Sequence, residues 1–85
     1  MKEFTYVIAD PQGIHARPAG LFVKKASEFA SSVVIGKGEK SADAKRIFGV
    51  MGLGVKNGDE IFIRVEGADE ENAAEVLEAF LKENL

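Results

Sequence analysis

Phe4, Tyr6 and Ile8 alternate with Glu3, Thr5 and Val7, a two-residue period that predicts a strand with one face on a core. Asp10-Pro11-Gln12-Gly13 breaks that run. From Pro18 to about Phe29 the period lengthens, and Ala19, Phe22, Val23 and Ala26 recur at helical spacing as an expected buried stripe. Pro18 suits the first turn of such a helix, where its missing N–H would have had no intrahelical partner. Leu21 falls off the stripe and shares another side of the helix with Arg17, Gly20 and Lys24.

Val33, Val34 and Ile35 predict a second strand, Gly36-Lys37-Gly38-Glu39 a tight turn, and Lys40 to Asp43 a short third strand that completes a hairpin. A short, irregular helix and turn is expected in the glycine-rich stretch that follows Lys45. Ile61, Ile63 and Val65 against Glu60, Phe62, Arg64 and Glu66 give the clearest alternation, entered through Asn57-Gly58-Asp59. Asp69 suits an N-cap, Glu70 and Glu71 a first turn and Lys82 a last turn, framing a helix whose apolar face is Ala73, Ala74, Leu77, Phe80 and Leu81. The order β-α-β-β-(short α)-β-α is an α+β pattern, with helices covering one face of a four-stranded sheet and the other face solvated. Local pattern leaves the strand order open.

Composition narrows the function classes. A chain of 85 residues, 46% hydrophobic, suits one domain over 1–85 with a modest core and little room for a deep cavity. With no cysteine and one histidine it has no disulfide and cannot assemble a usual zinc or iron–sulfur site, so no metal is expected. That suits a reducing cytoplasm. A net charge of −3 argues against general nucleic-acid binding. Met1 is followed by charged and β-prone residues, and no stretch is long enough to cross a bilayer, so a soluble, unexported protein without membrane insertion is expected. Gly49, Gly52, Gly54 and Gly58 match neither a dinucleotide fingerprint nor a P-loop.

The lone imidazole, His15, sits where loop turns into helix, in Gly13-Ile14-His15-Ala16-Arg17-Pro18-Ala19. Two readings are open from the residues alone. One is a surface or capping histidine without chemistry. The other is a phosphohistidine site, since a helix start welcomes an anion, Ala16 and Arg17 offer backbone N–H donors there, and the Arg17 guanidinium is close in sequence.

The same stretch resembles the active-site motif of the HPr family, the histidine-containing phosphocarriers of the bacterial phosphoenolpyruvate:sugar phosphotransferase system. Lys45-Arg46-Ile47-Phe48-Gly49-Val50-Met51-Gly52-Leu53-Gly54 is similar to that family's second signature stretch, and length and element order fit from end to end. The resemblance implies an open-faced two-layer sandwich, with an antiparallel sheet of order 1-4-2-3 and three helices on one side. It implies that phosphorylated Enzyme I charges His15 at Nδ1 and that His15 passes the phosphoryl group to the IIA unit of a sugar permease. Arg17 and the backbone N–H groups of Ala16 and Arg17 would stabilise that group. Gly20, Leu21, Lys24, Ile47, Phe48, Gly49, Met51 and Gly52 would form the partner surface, apolar at Leu21, Ile47, Phe48 and Met51 and rimmed by Arg17 and Lys24. Such a protein is a monomeric, cytoplasmic covalent carrier rather than a complete enzyme, and needs no cofactor.

One position departs from the pattern. In Gram-positive relatives a regulatory kinase phosphorylates a serine just before the position of Ile47, and here that residue is Arg46, which has no hydroxyl. Release from serine control, altered partner choice and simple drift each account for it. Two other function classes stay open: a regulatory or paralogous phosphocarrier with other receivers, and an interaction module that docks through Leu21, Phe48 and Met51 without turnover. The presence of both His15 and Arg17 argues against the module, because apolar docking needs neither.

Overall fold

The computed structural model describes residues 1–85. In chain order the elements are β1 (Lys2–Val7), α1 (Ala16–Ser27), β2 (Ser32–Lys37), β3 (Lys40–Asp43), α2 (Ile47–Gly52), β4 (Glu60–Glu66) and α3 (Glu70–Asn84). The strands form one sheet in the order β1-β4-β2-β3, every neighbouring pair antiparallel. This is the α+β open-faced sandwich expected from the sequence, with the three helices on one side.

Alternation decides which side is which. On β4 the buried Ile61, Ile63 and Val65 face the helices, while Glu60, Arg64 and Glu66 are exposed. Val33 and Ile35 of β2 lie opposite Val65 and Ile63 and continue the buried layer. From the helices, Ala19, Phe22 and Ala26 of α1 and Ala73, Leu77 and Leu81 of α3 close over it. Phe22 and Phe80 meet with ring centroids 5.8 Å apart, which joins the two helices. Burying each large aliphatic side chain of this set stabilises the fold by about 1.5–3 kcal/mol.

Four local expectations need correction. Ile8 lies just beyond β1, although it is buried as expected. Helix α1 ends at Ser27 rather than near Phe29, and its fully buried residues include Pro18 while Val23 is only half-buried. Gly36 is a strand residue rather than part of the turn. It pairs with Phe62 across β2 and β4, and a Cβ there would lie 1.9 Å from the Phe62 ring, so the glycine makes room for the aromatic on the solvated face. The turn itself is made by Gly38 and Glu39.

The fourth concerns Asp69, which occupies the N-cap position of α3 and accepts the Ala73 N–H on its carbonyl, but whose side chain makes no capping bond. Its carboxylate accepts hydrogen bonds from the N–H groups of Ala30 and Ser31, both at 2.9 Å, and from the Ser31 hydroxyl. Three donors from the α1–β2 corner outcompete the helix end, so Asp69 ties two distant segments together. The Ser31 hydroxyl, then the Ala30 N–H, hold the Asp69 carboxyl below the ordinary aspartate value of 3.8. Lys37, and after it the Lys56 N–H, do the same for Asp59. A depressed carboxylate contributes stability at neutral pH that is lost as pH falls through 3.8 toward the lower folded value. Urea midpoints are therefore expected to drop between neutral pH and pH about 3, and to drop less in Asp69→Asn. Equal acid sensitivity of the two proteins would show that this carboxylate is not part of the dependence.

Candidate functional site

The loop before α1 is fixed from below before it presents His15. Gly13 is buried with φ +67°, and the Ile14 N–H donates to the Val55 carbonyl at 3.1 Å. Ile14 is only 8% exposed, so the residue before His15 is anchored in the core. Pro18 and Ala19 anchor the other side. Between these anchors His15 adopts an extended backbone as the N-cap residue of α1.

The His15 side chain makes no capping bond to its own helix, which excludes the capping reading. Instead Nε2 lies 3.6 Å from Oδ2 of Asp10, with the imidazole 38% exposed. Because Pro18 lacks an N–H and Ala19 already donates to the His15 carbonyl, the free donors of the first turn belong to Ala16 and Arg17. Neither has an acceptor within the molecule. Arg17 is exposed and has no carboxylate partner, so its guanidinium is free to meet an anion. Asp10, His15, Arg17, Pro18, Leu21 and Asn84 line one shallow concavity. Asn84 and, beside the imidazole, Asp10 are the members that the sequence reading missed. For Asp10 the available signal was the turn former three residues before Gly13, since an aspartate there readily bonds the N–H two residues on.

The residues expected at a partner surface fall into two groups. Leu21, Phe48 and Met51 are exposed at 44%, 87% and 39%, so each presents apolar surface to solvent. Gly20 brings α2 against α1, because Ile47 Cδ1 lies 3.7 Å from where a Gly20 Cβ would be. Ile47 is accordingly half-buried, while Lys24 and Gly52 are exposed. Gly49 turns toward β3, where a Cβ would lie 3.2 Å from that of Ala42. Arg46, the N-cap residue of α2, is 82% exposed, with Nε 3.9 Å from the Asp43 carboxylate.

Comparison with known proteins covers nearly the whole chain. Residues 2–83 match the family model described as the PTS HPr component phosphorylation site. The phosphocarrier protein HPr of Lysinibacillus sphaericus is 47% identical over 83 residues, covering 98% of this chain and 94% of that protein. Among solved structures, a mycoplasma histidine-containing phosphocarrier protein superimposes with a TM-score of 0.93 at 35% identity, covering 96% of this chain and 93% of that one. An HPr from Thermoanaerobacter tengcongensis gives 0.92 at 44% identity, covering 96% and 92%. From the sheet order, the histidine at the start of α1 and these matches together, the chain belongs to the HPr family of phosphocarrier proteins of the bacterial phosphotransferase system.

Proposed function

We propose that this chain accepts a phosphoryl group on Nδ1 of His15 from phosphorylated Enzyme I and hands it to the IIA unit of a sugar permease, acting as a monomer in the cytoplasm. The observation that carries the reading is a half-exposed imidazole at a helix start whose two free N–H donors, Ala16 and Arg17, have no partner of their own. Transfer between two imidazoles needs in-line positioning and stabilisation of charge on the equatorial oxygens. The two N–H groups and the Arg17 guanidinium supply that charge stabilisation. Arg17 is exposed, which suits a carrier, because a phosphoryl group sealed in a closed cage would be hard to give away. The protein is thus a covalent carrier. Incubation with Enzyme I, phosphoenolpyruvate and magnesium should add the mass of one phosphoryl group, and absence of any adduct would refute the reading. The magnesium belongs to Enzyme I.

Docking of both partners is assigned to Leu21, Ile47, Phe48 and Met51, with Arg17 and Lys24 at the rim. Phe48 is the most exposed of the large hydrophobic side chains, so a charge there leaves the core untouched. Phe48→Glu is expected to weaken each encounter by about 2 kcal/mol, since the carboxylate must be desolvated inside an apolar contact. Folding stability should stay within about 0.5 kcal/mol. Titration followed by NMR shifts tests this, and shifts confined to α3 and the solvated sheet face would place the interface elsewhere.

A further inference from the structure

The geometry points to Asp10 as the positioning residue that selects Nδ1 of His15 as the nucleophile, an inference that rests on the phosphocarrier reading above. Asp10 is held at three points. Its N–H donates to the main-chain oxygen of Leu85 at 2.8 Å, its carbonyl accepts from Gly13 N–H at 2.9 Å, and Oδ1 accepts from Gln12 N–H at 2.8 Å. The remaining oxygen, Oδ2, lies 3.6 Å from Nε2 of His15. That distance is just beyond a hydrogen bond, so the carboxylate acts through its charge, which favours the neutral ring with its N–H at Nε2 and its lone pair on Nδ1.

The same contact serves both transfers. In charging, the Nδ1 lone pair attacks phosphorus, the Nδ1–P bond forms, and the donor's bond to phosphorus breaks with its electron pair leaving on the donor. The ring, still protonated at Nε2, now carries a positive charge. In delivery, the acceptor attacks phosphorus and the Nδ1–P electron pair returns to the ring. His15 therefore neither gains nor loses a proton in either step. A positive ring at the start of α1 is opposed by the helix dipole, and the Asp10 carboxylate offsets that cost from the other side. No base or acid is needed beside His15.

Two substitutions separate this role from a structural one. In Asp10→Asn the amide oxygen can keep the Gln12 bond, which turns the amide N–H toward Nε2 and favours the tautomer with its proton on Nδ1. In Asp10→Ala the partner is removed but not reversed. The imidazole nitrogen shifts of the unphosphorylated proteins, read at alkaline pH, should show the proton on Nε2 in the unmutated chain and a population on Nδ1 in Asp10→Asn. Charging by phosphoramidate, whose P–N bond breaks to release ammonia, should slow on the order of tenfold in Asp10→Asn and only about threefold in Asp10→Ala. Asparagine outperforming alanine, with identical ring nitrogens in all three proteins, would overturn the assignment. If neither phosphoramidate nor Enzyme I charges any of them, the carrier reading fails, whereas the nitrogen spectra still decide whether Asp10 sets the tautomer.

Discussion

Replacing His15 with Ala is expected to abolish phosphorylation by Enzyme I altogether. The chain has one imidazole, so it has one place for a phosphohistidine, whose adduct is acid-labile and base-stable. Serine and threonine esters survive acid, and acyl phosphates on Asp or Glu are lost in base, so the stability of the adduct excludes those residues and the variant fixes the site. Loss of function should come without loss of fold. The imidazole is 38% exposed and caps no helix, so its removal should alter stability by no more than about 0.5 kcal/mol. Intact mass after incubation with Enzyme I and phosphoenolpyruvate is the measurement. An adduct of undiminished yield on the variant would end the case for His15.

The largest stability effect is expected at Gly13, two residues before the imidazole. Its φ of +67° lies in the region that favours glycine, and an added Cβ would stand 2.3 Å from the Val55 carbonyl oxygen and 2.6 Å from Lys56 Cα. Both are backbone atoms, which cannot swing aside as a side chain can. Gly13→Ala therefore combines backbone strain with overpacking, each on the order of 1–3 kcal/mol, and should cost about 3 kcal/mol or more. That is a large share of what a domain of this size has in reserve. The bond from Ile14 to Val55 would be disturbed with it, so charging should slow even in the fraction that stays folded. Urea unfolding gives the number, and a loss below about 1 kcal/mol would mean that the strand-to-helix loop yields easily.

Elements defined by their own repeating pattern were legible in the sequence. Ile61, Ile63 and Val65 announced β4, and the apolar spacing from Ala73 to Leu81 announced α3, because in both cases burial follows the local period. The position of His15 at the start of α1 was legible for the same reason, with Pro18 marking the first turn. Contacts set by distant segments were not. Asp69 carries the residue type of a cap, yet its partners Ala30 and Ser31 come from the opposite end of another helix. Gly36 looks like a turn residue until β4 places Phe62 across from it. Asp10 reads as a strand breaker, and only the turn through Gln12 and Gly13 aims its second oxygen at the imidazole.

The main-chain oxygen of Leu85 receives N–H groups from both Ala9, at 2.6 Å, and Asp10, at 2.8 Å, while the Leu85 side chain sits in the core at 5% exposure. Helix ends fray, and Leu85 follows directly on the last turn of α3. Each time it frays, the Ala9 and Asp10 amides are released together and the segment ahead of His15 loses its tether. Deuterium uptake at those amides is therefore expected to track how often the far end of α3 lets go and frees the segment ahead of the imidazole.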